Sequence, residues 1–480
     1  MNPALSRREF IGASLAATGA AYLAVEPGQG AATGPSEPAV SLPSARIHKV
    51  YVGKSGQAWP KPTFDPRAEV GKFEEELGRV ERQLGNVKFL GGELVQTPEE
   101  AGKLAGGLKD ADGVLLIHLS LGTLPMLQQI VDVGRPTVVF SQPFSGHEWM
   151  FVRQWQKEGK RVVLQPTRDL GELARGAALL RVPGQMRQSR VVVIGEPDGT
   201  PSARSPERVK ERLGVEVVPV TVARLVEAHK AVDAKAAEAD AEDWIARAKR
   251  VVEPSRDEIT KSSRMHLAMR ELMKAERAQA ITVRCLGGIP IDILGYPCLG
   301  FVRLLDSGLV GACEADMDST LTMLMYQYAF GVPGFITDPL FDLSRNAVIH
   351  AHCTAPTRMD GPAKAPAPYT IRTHRDDDRG AALEVEMRLG QIITCAKLVN
   401  LDTILVSRGK IIEVPDFDDR GCRTQITTEV ADAGKMLDEW GAGLVDGWVA
   451  QLHRVVFYGD HLQSTTDLAT LMGLKVIEAM

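Results

Sequence analysis

The chain has 480 residues, of which 24% are charged and 44% hydrophobic, and its formal net charge is −5. This length is too great for one ordinary core and predicts two to four domains. Acidic and basic residues are interspersed without long blocks of one sign, which argues against nucleic acid or an anionic membrane as the main partner. The composition therefore indicates a globular, multidomain protein.

The first segment, residues 1–30, is expected to be an export signal rather than part of the fold. The pair Arg7-Arg8 precedes Phe10, and small or apolar residues continue to Val25. This arrangement resembles a twin-arginine signal peptide, in which a charged region precedes a short apolar one. The alternatives are a plain secretory signal or a membrane anchor, although an apolar run of about 15 residues is short for a spanning helix.

The resemblance to a twin-arginine signal implies a partner and a compartment. We expect the twin-arginine export machinery to carry the folded chain to the periplasm, with residues 31–45 as a flexible linker rich in Gly, Pro and Ser. Folding would then take place in the reducing cytoplasm, which disfavours disulfides. We therefore interpret the cysteines mainly as small buried residues: Cys285, Cys298, Cys313, Cys353, Cys395 and Cys422.

Beyond the linker, the pattern predicts an α/β protein with three domains. Strands alternate with helices over 46–185 and again over 186–345, which is typical of parallel sheets with helices on both faces. Strands separated by turns dominate 346–480 and predict a mostly antiparallel, β-barrel-like domain. The fold class is thus two Rossmann-like parallel-sheet domains followed by a β-barrel-like C-terminal domain.

A loop rich in polar and aromatic residues follows the predicted strand Thr137–Ser141. It contains Gln142, His147 and Trp149. An aromatic ring can stack on a sugar while amide and imidazole groups bond its hydroxyls, so these three residues are candidates for sugar binding. The alternative is an ordinary surface loop. If the loop binds sugar, it could complete the site of its own subunit or that of a neighbouring subunit.

The stretch Gly311–Pro339 contains the strongest chemical signal of the chain. One short apolar strand ends at Glu314, a helix follows, and a second short strand ends at Asp338. Ligands gather at the carboxyl ends of strands in α/β sheets, so two neighbouring strands would bring both carboxylates to one crevice. Such a pair suits a divalent cation or acid/base chemistry. Solvated loop acids or helix caps are the alternative.

Several motifs together resemble the L-fucose/L-arabinose isomerase superfamily, with the L-fucose isomerase branch as the closer match. They are Glu314, Asp338, His350–Pro356, Tyr369–Glu386, Gly421–Thr424 and Tyr458–His461. The resemblance implies an aldose–ketose isomerase of a fucose- or arabinose-like monosaccharide. It also implies Mn²⁺, or else Mg²⁺ or Co²⁺, as the cofactor, and a homo-oligomer, hexameric or trimeric.

The same resemblance implies roles for individual residues. Glu314, Asp338 and His461 would hold the metal, and the two carboxylates would move protons through a cis-enediol intermediate, with the division of labour left open. His352 is a candidate ligand or neighbour of the metal, although a histidine between apolar residues on a strand is often a core residue. Asp460 is a further candidate for contacting the sugar.

Two other functions stay open at this point. One is an epimerase or related enediol enzyme that acts on a modified sugar. The other is a non-catalytic periplasmic sugar-binding protein. Two carboxylates and a late histidine disfavour the binding protein, which has no need of metal-ligating acids. The neighbouring acids Asp316 and Asp318 are interpreted as a cap and a first-turn acid of the following helix.

Overall fold

The fold is described from a computed structural model that covers residues 42–415, 421–441 and 452–479. The predicted signal peptide and most of the predicted linker lie outside these residues. No helix within the described ranges is long and apolar enough to cross a membrane.

The strands and helices of the described chain are numbered in chain order. The strands are β1 (Ala45–Val52), β2 (Val87–Val95), β3 (Gly113–His118), β4 (Thr137–Ser141), β5 (Val162–Pro166), β6 (Arg190–Ile194), β7 (Glu216–Val220), β8 (Arg250–Val251), β9 (Ala280–Val283), β10 (Val310–Ala312), β11 (Phe335–Asp342), β12 (Ala347–His352), β13 (Tyr369–Arg372), β14 (Ala382–Val385), β15 (Ile392–Val399), β16 (Thr403–Glu413), β17 (Thr424–Val430), β18 (Arg454–Tyr458) and β19 (Lys475–Ala479). The helices are α1 (Pro66–Leu84), α2 (Pro98–Gly107), α3 (Leu124–Val131), α4 (Val152–Lys157), α5 (Glu172–Arg187), α6 (Pro206–Leu213), α7 (Val222–Ala231), α8 (Ala234–Arg247), α9 (Arg256–Glu276), α10 (Ile291–Leu294), α11 (Cys298–Asp306), α12 (Met317–Phe330), α13 (Ala433–Gly441) and α14 (Leu462–Met472).

Two parallel sheets form the N-terminal two-thirds of the described chain. The first has the strand order β2-β1-β3-β4-β5 and the second the order β10-β9-β6-β7. Every neighbouring pair in both sheets is parallel. Strands β3 and β4 are buried along their whole length, as expected where helices cover both faces of a sheet. The predicted α/β class is confirmed.

The C-terminal region contains a closed antiparallel barrel. Its strands follow the order β15-β18-β11-β12-β17-β16, and an additional pairing of β16 with β15 closes the ring. All pairs within the ring are antiparallel. Strand β19 adds to β16 in parallel outside the ring. The predicted β-barrel-like region is therefore confirmed.

The stretch Gly311–Pro339 is arranged differently from our prediction. The sequence analysis considered the case in which its two strands are neighbours in one α/β sheet, but β10 belongs to the second parallel sheet and β11 to the barrel. The helix between them, α12, is buried on all sides from Met317 to Ala329. A helix that is apolar all round needs cover on every face, and so it connects two layers instead of crossing back over one sheet.

One apolar core joins both parallel sheets and the barrel. Leu115 from β3, Val193 from β6, Leu321 from α12 and Val455 from β18 belong to the same cluster of fully buried side chains. The barrel begins with β11 at Phe335, so the domain boundary that we predicted between 345 and 346 falls after its first strand. This shared core fixes the positions of the strand ends that carry the candidate site.

Candidate functional site

Glu314 lies in a tight turn between β10 and α12. Glu314 and Ala315 have φ angles of 59° and 57°, in the left-handed region that non-glycine residues rarely adopt. The turn is fixed because the Ala315 amide donates to Val283 O at 3.0 Å and the Asp198 amide donates to Ala315 O at 2.9 Å. Backbone strain of this kind persists where the surroundings over-determine it, often at functional sites.

Asp338 and two histidines come together through the register of the barrel strands. Asp338 pairs with Ala351 across β11 and β12, so His352 at the end of β12 is the next residue along. Thr337 pairs with Arg454 across β11 and β18, which brings His453 beside Asp338. Antiparallel pairing thus converts three distant positions of the sequence into near neighbours.

The four side chains form one compact cluster. Nε2 of His453 lies 3.3 Å from Oδ1 of Asp338 and 3.6 Å from Oε2 of Glu314. Nε2 of His352 lies 3.6 Å from Oε1 of Glu314. Ligand atoms of Asp338, His352 and His453 all lie within 4.8 Å of one another. We refer to Glu314, Asp338, His352 and His453 as the carboxylate–histidine cluster.

The second ring nitrogen of His453, Nδ1, contacts the buried carboxylate of Asp316. This atom lies 3.0 Å from Oδ2 of Asp316, and Lys397 Nζ donates to the same oxygen at 2.9 Å. Asp316 also caps α12, because its Oδ1 accepts from the Ser319 amide at 3.0 Å. A hydrogen bond to one imidazole nitrogen fixes the tautomer and aims the other nitrogen. Asp316 therefore directs Nε2 of His453 into the cluster.

The electrostatics of the cluster favour positive charge. Burial lowers the pKa of His352, but Glu314 and Asp338 outweigh it and raise that pKa to about 10. Burial likewise opposes protonation of His453, yet Asp316 and Asp338 hold its pKa above the usual value. Burial raises the pKa of Glu314 and Asp338, and the histidines reverse this, so both pKa values lie below their usual range. The same field would attract a cation.

The donor set fits a hard divalent ion. Oδ1 of Asp338 and Nε2 of His453 are buried and have no hydrogen-bond partner among the described residues. Buried polar atoms are normally satisfied. These two form an ion contact of 3.3 Å with each other but no regular hydrogen bond, and a bound cation would satisfy both. Carboxylate oxygens with an imidazole nitrogen are ligands typical of Mn²⁺ and related ions.

The structure does not bring His461 into the cluster. Its Nε2 lies 2.9 Å from the carbonyl oxygen of Tyr458, three residues earlier, and its ring stacks on Phe330 with a centroid separation of 4.2 Å. Burial lowers its pKa, as expected for a neutral packed ring. His453, rather than His461, is the histidine next to both carboxylates. The physical reason is strand register: the residue before β18 faces Asp338, whereas His461 lies beyond the other end of that strand.

His352, which the sequence analysis named as a candidate ligand or neighbour of the metal, lies in the cluster. His350 does not. Nδ1 and Nε2 of His350 lie 3.1 Å from Thr337 Oγ1 and 3.2 Å from Thr428 Oγ1. Burial lowers the pKa of His350 to about 3, so it is a satisfied neutral residue of the barrel interior. The two histidines of β12 therefore have different surroundings despite their spacing of two.

The four residues predicted to contact a sugar lie in two other places. Trp149 is 50% exposed, and the ring of His147 lies 5.0 Å from that of Trp59. Gln142 is half-buried in the same loop. Asp460 is exposed and pairs with Arg408 at 2.8 Å. No hydrogen bond or ion pair joins these four to the carboxylate–histidine cluster within the described ranges.

The sequence analysis did not identify His453 or Lys397 as residues of the site. It also did not predict that Asp316 contacts both of them. The available signal for His453 was its position directly before Arg454–Tyr458, a short and mostly apolar run of the kind that forms a strand. Lys397 is completely buried within a barrel strand. A lysine inside an otherwise apolar strand indicates a buried partner of opposite charge, but the sequence does not indicate which acid.

Comparison with known proteins places the chain near sugar isomerases. No protein-family profile matches the chain. The sulfoquinovose isomerases of Priestia aryabhattai and Priestia megaterium are each 22% identical to it over 317 residues, which cover 63% of this chain and 67% of each relative. A sulfoquinovose isomerase of Clostridium sp. (strain MSTE9) is 24% identical over 220 residues, 44% of this chain and 46% of the relative. These relatives confirm the prediction of an enzyme of the sugar isomerase class.

Proposed function

We propose that this protein is a divalent-metal-dependent aldose–ketose isomerase. The observation that carries the proposal is the convergence of Glu314, Asp338 and His453, in which two buried ligand atoms make no regular hydrogen bond to any described residue. The identity of the relatives as sugar isomerases supports the reaction class. Mn²⁺, or else Mg²⁺ or Co²⁺, would be held by these three side chains, with His352 as a neighbour or fourth ligand.

A bound divalent ion would supply Lewis-acid chemistry, polarising the carbonyl of an open-chain sugar and acidifying its C2 hydrogen. The chain's own residues would move the protons. One carboxylate removes the C2 proton while O1 is protonated, which gives a cis-enediol; the O2 proton then leaves and C1 receives a proton, which gives the ketose. Glu314 and Asp338 are the two half-buried carboxylates available for these transfers.

His352 and Asp316 would act by positioning. The Nε2 of His352 lies near Glu314, while its Nδ1 lies 3.3 Å from Thr354 Oγ1, so the ring is held between two groups. Asp316 holds the ring of His453 from the opposite side. Groups fixed in this way reduce the reorganisation needed when charge develops on the substrate. Gln142, His147, Trp149 and Asp460 stay predictions for sugar contact.

The substrate is proposed to be a monosaccharide, with two classes to distinguish. The family resemblance favours a fucose- or arabinose-like sugar, whereas the relatives act, by their names, on sulfoquinovose. We also propose export to the periplasm through the twin-arginine machinery, on the strength of Arg7 and Arg8, and assembly as a homo-oligomer. Replacing both arginines by lysine in the full chain should retain the protein in the cytoplasm if this export route is correct.

The experiment that tests the proposal is isomerisation in D₂O. Purified protein with Mn²⁺ is incubated with neutral aldoses and with a 6-sulfonated hexose, and products are followed by NMR. Ketose formation with deuterium at C1, and at C2 of recovered aldose, supports the isomerase. Exchange at C2 without ketose would favour an epimerase. Binding without any exchange would favour a sugar-binding protein, and full activity in a Glu314→Gln variant would contradict the mechanism.

A further inference from the structure

Two neighbouring thiols lie beside Glu314 and His352 of the carboxylate–histidine cluster. Cys285 and Cys313 follow the ends of β9 and β10, which are adjacent parallel strands. Their Sγ atoms are 3.4 Å apart, and the two residues are only 1% and 3% exposed. In a tetrahedral zinc site with Zn–S bonds of about 2.3 Å, two thiolates lie about 3.8 Å apart. The pair is therefore already close to the spacing that a soft ion requires.

The thiols share the space with two members of the cluster. Ligand atoms of Cys313, Glu314 and His352 all lie within 4.8 Å of one another. The Cys285 thiol joins this group through its contact with Cys313 Sγ. Nε2 of His352 and Oε1 of Glu314 are 3.6 Å apart, a spacing similar to that of the two sulfurs. Cys313 thus stands between the Cys285 sulfur on one side and the His352 nitrogen and Glu314 oxygen on the other.

We propose that Cys285, Cys313, Glu314 and His352 form a second metal site, selective for a soft divalent cation such as Zn²⁺ or Cd²⁺. Thiolates select soft ions, and imidazole suits zinc, whereas the oxygen-rich set of Asp338, Glu314 and His453 suits a hard ion. The turn at Glu314, held in the left-handed region, places its carboxylate between the two donor sets. Its two oxygens face different histidines, Oε1 towards His352 and Oε2 towards His453.

The two sites cannot be filled independently, because they share Glu314 and His352. A soft ion bound to the thiols would draw the Glu314 carboxylate away from the proposed catalytic position. If the proposed function is correct, Zn²⁺ or Cd²⁺ should therefore inhibit turnover in competition with Mn²⁺. The consequence for turnover rests on the proposed function, but the binding site itself does not.

The test is a Cd²⁺ titration of the full-length, metal-free protein under a phosphine reductant, which keeps the thiols reduced without competing thiols. Thiolate-to-Cd²⁺ charge transfer is followed in the ultraviolet. The wild type should show a saturable band at one equivalent per chain. Cys285→Ala and Cys313→Ala should lose the band or weaken Cd²⁺ binding by more than about tenfold, since changes to groups that only orient metal ligands already cost 10- to 100-fold.

Two control variants make the titration specific. Cys395→Ala removes another fully buried thiol, on barrel strand β15, and should keep the band. The double variant Cys353→Ala/Cys422→Ala removes a second pair of adjacent thiols and should also keep it. A band that survives in both Cys285→Ala and Cys313→Ala, or that disappears only in the double variant, would overturn the proposal. Circular dichroism of each variant establishes that it is folded.

Competition with Mn²⁺ tests the shared ligands separately. Excess Mn²⁺ should weaken the charge-transfer band of the wild type, and the ¹¹³Cd NMR signal of the wild type should report two thiolate ligands without relying on any variant. Cadmium with oxygen and nitrogen ligands alone would overturn the site. If the protein proves inactive on every sugar while the thiolate band follows this pattern, the proposed function fails and the soft-metal site stands.

Discussion

Nδ1 of His453 lies 3.0 Å from Oδ2 of Asp316, across a sequence separation of 137 residues. Both side chains are completely buried. The contact joins the start of α12 to the start of β18, and it leaves Nε2 of His453 facing Asp338. The helix cap predicted for Asp316 is thus also the group that orients a candidate metal ligand.

We expect Asp316→Asn to reduce activity without removing any proposed metal ligand. Asparagine keeps the cap of α12 but loses the charge that holds the His453 imidazole. Changes of this kind usually cost about 10- to 100-fold in metal affinity or activity. The measurement is kcat/KM as a function of Mn²⁺ concentration, in which the variant should need more Mn²⁺ for half-maximal activity. An unchanged Mn²⁺ requirement would assign Asp316 a purely structural role.

The buried pair of Lys397 and Asp316 should dominate the local stability. Nζ and Oδ2 are 2.9 Å apart, and both side chains are fully inaccessible. Lys397→Met leaves the carboxylate buried without its strongest partner and should lower the free energy of unfolding by about 3–5 kcal/mol. Adding Asp316→Asn to Lys397→Met should recover part of that loss, because the unpaired charge is removed.

Chemical denaturation of the two single variants and the double variant measures this coupling. The single variant at exposed Lys435, Lys435→Met, serves as the matched control and should change stability by less than about 0.5 kcal/mol. Strict additivity of the Lys397 and Asp316 substitutions would contradict a direct interaction between the two charges.

Glu148 should make stability depend on pH in the acid range. Its carboxylate accepts from the amides of Gly122 at 2.7 Å and Thr123 at 3.0 Å, and His118 lies 3.4 Å away. Burial raises its pKa, but His118 and the amide contact lower it to about 2. A depressed carboxyl pKa stabilises the fold above the unfolded value of about 4.5 and loses this stabilisation as pH falls towards 2.

The variant Glu148→Gln should therefore be less stable than the wild type at pH 7, by on the order of 2 kcal/mol. The difference should shrink as pH falls from 4.5 towards 2. Thermal denaturation across this window measures it, with Glu227→Gln on an exposed helix position as the control. A constant difference between pH 7 and pH 3 would show that Glu148 does not act through its charge.

The overall fold could be predicted from the sequence because strands, helices and turns each leave a local pattern of residues. Alternating strands and helices predicted the parallel sheets, and short strands between turns predicted the barrel. The second strand of Gly311–Pro339 was located, but it continues to Asp342 instead of ending at Asp338. Its sheet was not predicted, because a short apolar sequence does not specify which strand it pairs with. The sequence of α12, in which Asp318 is the one charged residue, was the available clue that the helix is covered on every face and joins two layers.

The candidate site was only partly accessible for a related reason. Glu314 and Asp338 were selected because each stands at the end of a predicted strand, and His352 was selected by family resemblance. His453 was missed because its nearness to Asp338 depends on the register of β11 with β18, which no local pattern encodes. His461 was selected instead by family resemblance, which identified a late histidine but did not distinguish two that flank the same strand.

The most direct test of the account is the Mn²⁺ content of two matched histidine variants. Wild type, His453→Gln and His461→Gln are purified, loaded with Mn²⁺, and assayed for bound metal and for sugar exchange in D₂O. We predict stoichiometric Mn²⁺ and exchange for the wild type and for His461→Gln, and loss of both for folded His453→Gln. A folded His453→Gln variant with full Mn²⁺ and full exchange would contradict the proposed site, as would loss of Mn²⁺ from His461→Gln alone.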